Sequence, residues 1–436
     1  MTDEVDAGRT LELDRAVFHS WSAQGALAPL DVERAHGCEV VLGDGRTLLD
    51  FSSQLVNTNI GHTHPRVVEA IQRQAALLPT VNPAHANRAR GEAAQRILRA
   101  AGEPFSKVFF TNGGADANEN AIRMARLTTG RDKVLSTYRS YHGNTGAAVV
   151  ATGDWRRVPN EYARGHVHFW GPFPYRSEFW STSPEQEVER ALHALRRIVE
   201  AEGPGSIAAI LIETVPGTAG VIVPPPGWLA GVRAVCDEWG IVLILDEVMA
   251  GFGRTGDWFA FQNPTINPEG VVPDLITFAK GVNSGYVPAG GVIIPPAIAA
   301  EFDTRIFPGG LTYSGHPLAM AAIVATLDAM REEGIVEHAR DIGERVLGPA
   351  LRDLATRHGC VGDVRGLGVF WALDLVSDPS TKAPLPPADM ARIKRDLVGA
   401  GLLPFVQDNR VHVVPPCVVT EQQVERAVAA YDAVLP

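Results

Sequence analysis

Between about residues 64 and 316 the chain alternates two hydrophobic patterns. Short apolar runs stand at Lys107–Phe110, Lys133–Tyr138, Ile207–Ile212, Ile241–Leu245 and Leu275–Ala279, several of them without a polar face. Strands buried on both sides of a parallel sheet have this composition. Between them, Ala117–Leu127, Glu185–Glu200 and Pro226–Glu238 carry apolar positions at helical spacing. The alternation predicts successive βαβ units, hence a layered α/β domain with a mostly parallel sheet. Ligands of such sheets sit beyond the carboxyl ends of the strands.

The pattern differs on either side. Before residue 36 the one apolar-aromatic cluster is Val17-Phe18-His19-Ser20-Trp21. Two strand-like runs, Glu39–Leu42 and Thr47–Phe51, then flank Gly43-Asp44-Gly45, which predicts a hairpin. After residue 316 come two long helical stretches, Pro317–Glu332 and Glu337–His358. Strands at Gly368–Leu375 and Arg410–Val414 follow, and a last helix starts at Thr420. The proline-rich segment Ser377–Pro387 reads as an exposed loop. The expected division is an N-terminal segment, residues 1–63, that joins a small domain; a large domain, residues 64–316; and a smaller α+β domain, residues 317–436.

Composition narrows the class. The 436 residues exceed one ordinary core. With 45% hydrophobic and 20% charged residues the chain is of globular type. A net charge of -11 argues against nucleic acid or an anionic membrane as partner. Cys38, Cys236, Cys360 and Cys417 lie far apart with no zinc spacing, so no metal site is expected. The polar, acidic start and the lack of a long apolar run lead to the expectation of a cytoplasmic protein.

Several residues at strand ends carry possible chemistry. Lys280 follows Leu275–Ala279, where burial would depress its pKa and make it a nucleophile. Taken alone, it reads more readily as a surface lysine. Asp246 ends Ile241–Leu245 and is suited to pair with a cation such as a pyridinium nitrogen, to cap a helix, or to bind a metal. Thr111-Asn112-Gly113-Gly114-Ala115 passes from strand to helix, where free backbone N–H groups bind phosphate. Tyr141-His142-Gly143 offers an aromatic face. Glu213 ends Ile207–Ile212, and Thr312 stands in Thr312–Pro317 before a helix, where a simple cap explains it equally. Strand ends converge in such a sheet, so the set points to one site.

These segments carry a family resemblance. Leu245-Asp246-Glu247-Val248, Gly251-Phe252-Gly253-Arg254-Thr255-Gly256 and Phe278-Ala279-Lys280-Gly281 together resemble the signature of the class III aminotransferases, and Thr312–Pro317 resembles their phosphate loop. The resemblance runs from about Phe18 to the C-terminal helix. It implies the fold type I architecture, pyridoxal 5'-phosphate (PLP) as cofactor, and a homodimer with shared active sites, or a tetramer built from such dimers. Lys280 would form the Schiff base, Asp246 would bind the pyridine nitrogen, and Val248 and Tyr141 would face the two sides of the ring. Gly114 and Ala115 would hold the phosphate, His142 and Glu213 would complete the cofactor's surroundings, and Thr312 would reach the neighbouring subunit's phosphate. Departures stand at Gly113, commonly serine in the family, at Ala115, commonly serine or threonine, and at Met249, often glutamine.

The implied reaction is transamination between a small amine donor and a keto acid. Many relatives carry a mobile arginine after a Gly-Leu-Leu-type segment; here Gly401-Leu402-Leu403-Pro404 is followed by Phe405. The expectation is that Arg410 takes over the carboxylate or sulfonate of a substrate. Trp21 resembles the N-terminal aromatic that lines the pocket of ω-transaminases. The expected donor is a terminal amine of an anionic compound, of the taurine, β-alanine or 6-aminohexanoate type, with pyruvate as acceptor. The alternatives are 2-oxoglutarate as acceptor, or a decarboxylase or aminomutase on the same fold.

Overall fold

The computed structural model describes residues 9–161 and 163–436; the acidic start of the chain, residues 1–8, lies outside them. Among the described residues seven strands form the central sheet. In chain order they are β1 (Lys107–Thr111), β2 (Lys133–Thr137), β3 (His166–Phe169), β4 (Ile207–Glu213), β5 (Val242–Asp246), β6 (Leu275–Phe278) and β7 (Gly290–Ile294). Their spatial order is β1-β7-β6-β5-β4-β2-β3. β2 to β6 pair in parallel. β7 runs antiparallel to both of its neighbours.

The apolar runs became strands because both of their faces are covered. Every residue of β4, β5 and β6 is buried. The helices Gly114–Thr129 and Pro184–Glu202 extend the expected amphipathic segments by a few residues, whereas Trp228–Trp239 is the expected segment Pro226–Glu238 shifted slightly towards the C-terminus. β3 and β7 escaped the hydrophobic pattern. β3 alternates histidines with apolar residues as a half-buried edge. β7 opens on Gly290-Gly291, and a Cβ on Gly291 would meet the Phe109 carbonyl oxygen at 2.6 Å.

The outer elements gather around this sheet. Thr47–Asp50 pairs with Glu39–Leu42 on one side and, in parallel, with Leu402–Leu403 on the other. Pro317–Glu332 packs on Pro65–Leu77 and Arg88–Ala101, where Asp328 takes both Nε and Nη2 of Arg96 at 2.7 and 2.8 Å. The expected helix Glu337–His358 is interrupted: Ile335–Ile342 and Gly348–Arg357 are joined by a wide turn at Gly343–Leu347. The backbone of Gly368 presses on it, where a Cβ on Gly343 would meet the Gly368 carbonyl oxygen at 2.0 Å. The expected strand Gly368–Leu375 is corrected to the hairpin Val361–Leu367 and Phe370–Asp378, turned at Gly368-Val369 with Gly368 at φ +54°. Glycine tolerates that left-handed conformation at no steric cost. Within Ser377–Pro387, Ala383–Pro384 adds a short strand to the hairpin.

One buried side chain ties these parts together. Arg254 is fully buried and has no salt bridge among the described residues. Its guanidinium donates to the Pro415 carbonyl, to Asn59 Oδ1 at 2.7 Å, to Ser53 Oγ at 3.2 Å and to the Val369 carbonyl at 3.4 Å. The N-terminal segment, the hairpin turn and the C-terminal loop therefore meet on one cation whose planar fork matches several acceptors. Arg254→Met would leave those acceptors without a donor. A loss of about 3 kcal/mol in unfolding free energy is expected, read by urea unfolding of the cofactor-free protein. A change below about 0.5 kcal/mol would show that the arginine is dispensable.

Candidate active site

The sheet aligns the chemistry by register. Glu213, last in β4, pairs with Asp246, last in β5, and Asp246 pairs with Thr277 in β6. Neighbours at one register point to the same face, so an acid, an acid and a hydroxyl form a row. Lys280 follows in the turn Lys280–Val282. It holds φ +47°, a left-handed conformation that costs a non-glycine residue energy and persists where the surroundings impose it. Glu213, Asp246 and Lys280 border a cavity of about 530 Å³.

Asp246 is almost wholly buried and fully bonded. Its Oδ2 accepts from Asn118 Nδ2 and from His142 Nδ1, both at 2.8 Å, and its Oδ1 accepts from the Val248 backbone N–H at 3.0 Å. Asn118 is itself oriented, since the Thr277 hydroxyl donates to its Oδ1 at 2.8 Å. A second Asn118 hydrogen goes to the His142 carbonyl at 2.8 Å. Three donors thus converge on this one carboxylate.

Glu213 is held differently. It accepts from the backbone N–H groups of Tyr141 and Gly217, both at 2.8 Å. Burial and the neighbouring Asp246 charge outweigh these bonds and push its carboxyl up to about 7. Glu247 behaves alike: burial raises it to about 7 although Thr214 and the N–H groups of Ala260 and Phe261 bond to it. Lys280 moves the opposite way. Burial pushes its ammonium below the ordinary lysine range, assisted by Arg156 and resisted by Asp246 and Glu213.

The helix Gly114–Thr129 points its first turn at the same cavity, and no side chain caps it. A Cβ on Gly114 would meet Val248 Cγ1 at 2.8 Å, so this position must be bare for Val248 to reach the cavity wall. On the other side Tyr141 carries the Arg156 guanidinium over its ring at 3.9 Å and Trp21 edge-on at 6.4 Å. Asp154 anchors Arg156, with Nε–Oδ1 at 3.0 Å.

Most of the expected residues come together here: Lys280, Asp246, Glu213, Gly114, Ala115, Tyr141, His142, Val248 and Trp21 all border the cavity. Two do not. Thr312 lies exposed and is absent from the cavity wall. Arg410, expected to take the carboxylate or sulfonate of a substrate, also lines no part of it. The reason is strand geometry. Phe405–Gln407 pairs with Arg410–Val413 so that Phe405 faces His412 and Gln407 faces Arg410. Phe405 and Gln407 reach the cavity, whereas Arg410, on the neighbouring strand opposite Gln407, does not. Asn118, Arg156 and Asp154 went unnoticed in the sequence. Asn118 is one polar residue inside an amphipathic helix, and Asp154-Trp155-Arg156-Arg157 looks like a solvated loop.

A family model described as aminotransferase class III matches residues 21–435. The taurine–pyruvate aminotransferase of Rhodobacter capsulatus is 32% identical over an alignment of 467 residues that covers 99% of this chain and 97% of that protein. The 5-aminovalerate aminotransferase of Pseudomonas aeruginosa is 37% identical over 367 residues, covering 83% of this chain and 82% of the relative. Among solved structures, the taurine:2-oxoglutarate aminotransferase of Bifidobacterium kashiwanohense, in complex with PLP and glutamate, superposes with a TM-score of 0.92 at 40% identity, covering 99% of this chain and 96% of that one.

The raised Glu213 carboxyl makes stability depend on pH. Folded, it holds its proton up to about pH 7; unfolded, it releases it near pH ~4.3. Its contribution is thus fully present below the unfolded pKa and is lost as pH rises through the folded one. Glu213→Gln should flatten the decline in unfolding free energy between about pH 5 and pH 8 by about 2–3 kcal/mol. Urea titrations of the cofactor-free protein at both pH values test this, and identical declines in both proteins would contradict it.

Proposed function

Because the chain belongs to the class III aminotransferases, PLP-dependent enzymes of fold type I, we propose that it moves the terminal amino group of a short anionic donor to a keto acid such as pyruvate. Taurine, β-alanine and 6-aminohexanoate represent the donor class. The observation that carries the anionic part is Arg156, the one guanidinium bordering the Lys280 cavity among the described residues. It lies flat on Tyr141, and its Nη1 makes no hydrogen bond within the described residues, which leaves a donor for an incoming carboxylate or sulfonate. Trp21, Trp155 and Phe405 supply apolar walls suited to a short methylene chain.

The residues fit the cofactor. The uncapped helix start at Gly113–Ala115 offers backbone N–H groups to a phosphate. Asp246 offers a buried carboxylate to a ring nitrogen, and His142 Nε2, buried without a partner among the described residues, belongs to the ring bonded to it. Val248 and Tyr141 both border the cavity, where they would flank a flat ring. When bound, PLP supplies the carbonyl that condenses with amines and the ring that takes up the electrons of a broken C–H bond.

The chain's own groups do the rest. Asp246, bonded by three donors, would pair with the cofactor's ring nitrogen and hold a proton there. Lys280 Nζ, shifted down by burial, would take the proton from the donor carbon and return it to the cofactor carbon across the nitrogen. Glu213 fixes the backbone of Tyr141 and of the Gly217 loop and so sets the pocket's width. Arg156 holds the substrate's acid group away from Lys280. Thr312 has a role in this reading only when a second copy of the chain brings it to the neighbouring site. The exposed Phe18, Leu77 and Ile306 support such a homodimer.

A donor panel with pyruvate, followed by alanine formation, tests the reading. Activity with taurine, β-alanine or 6-aminohexanoate is expected. Strong activity with ornithine and 2-oxoglutarate but none with pyruvate would refute it. Arg156→Gln should raise KM for the anionic donors about tenfold, equivalent to ~1.4 kcal/mol, and leave the uncharged donor 1-phenylethylamine unaffected. Equal effects on both donor types would remove Arg156 from substrate binding.

A further inference from the structure

Three non-glycine residues around Lys280 share a left-handed backbone: Lys280 itself at φ +47°, Ser284 at +53° and Phe252 at +58°. Each such conformation costs energy and persists only where neighbours over-determine it. The neighbours come from the distant segment Asn59–His64. Asn59 Nδ2 donates to the Phe252 carbonyl at 2.7 Å, and the Ile60 N–H donates to Ser284 Oγ at 2.9 Å. The Tyr286 hydroxyl donates to the Gly61 carbonyl at 3.1 Å and accepts from the His64 N–H. Lys280 is followed by Gly281, and a Cβ there would lie 2.3 Å from Asn59 Nδ2. We infer that Asn59 is a positioning residue for the reaction at Lys280: its side-chain amide is the stop against which the Lys280–Val282 turn rests, and this contact aims the lysine into the cavity. The inference rests on the transaminase reading of Lys280 and deepens it.

The stop is rigid. Arg254 can only donate and the Phe252 carbonyl can only accept, so the amide has one possible orientation. Its Oδ1 faces Arg254 Nη2 and its Nδ2 faces the Phe252 carbonyl, each at 2.7 Å. The Asn59 carbonyl accepts from the Cys417 N–H, also at 2.7 Å. Asn59 is 1% exposed, so solvent cannot replace either side-chain bond. The end of a side chain ordinarily yields to a nearby methyl group. This one cannot swing aside without breaking a bond to a buried guanidinium or a buried carbonyl.

The distance from the amide to the lysine is short. Phe252 Cβ closes the other side of Gly281, 3.2 Å from where its Cβ would be. The Phe252 ring packs edge-on against Phe278, the last residue of β6, with centroids 5.8 Å apart. Lys280 is therefore bracketed by Phe278 before it and Gly281 after it, both in contact with the Asn59–Phe252 pair. A lysine stem is flexible, so the direction in which its Cα–Cβ bond leaves the backbone decides how much of its range lies in the cavity. Arg254, which ties the outer segments together, thus bears on the chemistry through one amide.

The test uses Asn59→Ala, Gly281→Ala and the double variant, in which the new methyl group fills the space the amide leaves. Three quantities are measured. In the cofactor-free protein, acetic anhydride labelling of Lys280 is followed against pH and located by peptide mass. In the holoenzyme, kcat and KM are compared for taurine and 1-phenylethylamine. Urea unfolding reports stability. Each single variant should let water reach Nζ and move the labelling midpoint upward by about half a pH unit or more. It should also lower kcat about tenfold for both donors without changing KM. The double variant should recover in labelling and kcat, yet keep the stability loss of Asn59→Ala, because Arg254 still lacks its acceptor.

If Asn59→Ala is less stable but labels and turns over like the parent, Asn59 only supports the fold and the inference is overturned. A double variant no better than the worse single variant overturns it too. If Asn59→Ala does not fold, Gly281→Ala decides alone, and parent-like labelling and turnover in it are again fatal. Full transamination by Lys280→Ala would strike the reading of function instead, while the labelling of the cofactor-free protein would still decide whether Asn59 acts on Lys280.

Discussion

A carboxylate placed where water cannot reach it constrains everything near it. Asp246 ends a strand that is buried along its whole length. Its charge is tolerable there only because Asn118, His142 and the Val248 N–H converge on it. Each donor is in turn held: Asn118 by Thr277, His142 by its backbone bond to the Thr152 hydroxyl, Val248 by its own place after the strand. Strands β5 and β6, the loop after β2 and a helix are thereby tied to one anion. The same low-dielectric surroundings move Lys280 down and Glu213 up, so the reactivity of the site follows from burial, not from any one unusual residue.

Much of this was legible in the chain. Apolar runs bounded by turns marked β1, β2, β4, β5 and β6, since strands covered on both faces leave no doubt about pattern. Lys280, Asp246 and Glu213 stood out because a charged residue at the end of such a run must be either exposed or employed. β3 and β7 were hidden because one is an edge strand with polar alternation and the other opens on glycines. The broken helix at Gly343 and the turn at Gly368 depend on each other across the fold. Local periodicity contains no term for that contact.

The substrate side was less legible for a physical reason. Cofactor positions hang from strand ends, whose register the sequence dictates. Substrate positions hang from loops, whose approach to the pocket is a tertiary matter. Arg156 reaches the site because Asp154 and Tyr141 hold it there. Arg410 was assigned to the pocket by its distance from Phe405 along the chain, yet the hairpin turn puts it on the neighbouring strand, off the cavity wall. The two arginines differ in sequence by nothing that pattern reading detects.

The antiparallel strand β7 also sets a length. It lies between β1, which leads into the Gly113–Ala115 turn, and β6, which leads to Lys280. Strands in a sheet are spaced about 4.8 Å, so the helix start and the lysine are held roughly 10 Å apart by two strand widths. At the end of β7 that faces them stand Gly290 and Gly291, opposite Thr111 and Phe278. A side chain at Gly290 would strike the Gly113 and Phe278 carbonyl oxygens at 2.7 Å. The sheet thus acts as a ruler with a notch cut in its middle graduation. A flat, elongated ligand with an anion at one end and an electrophile at the other is measured against it before any side chain makes contact.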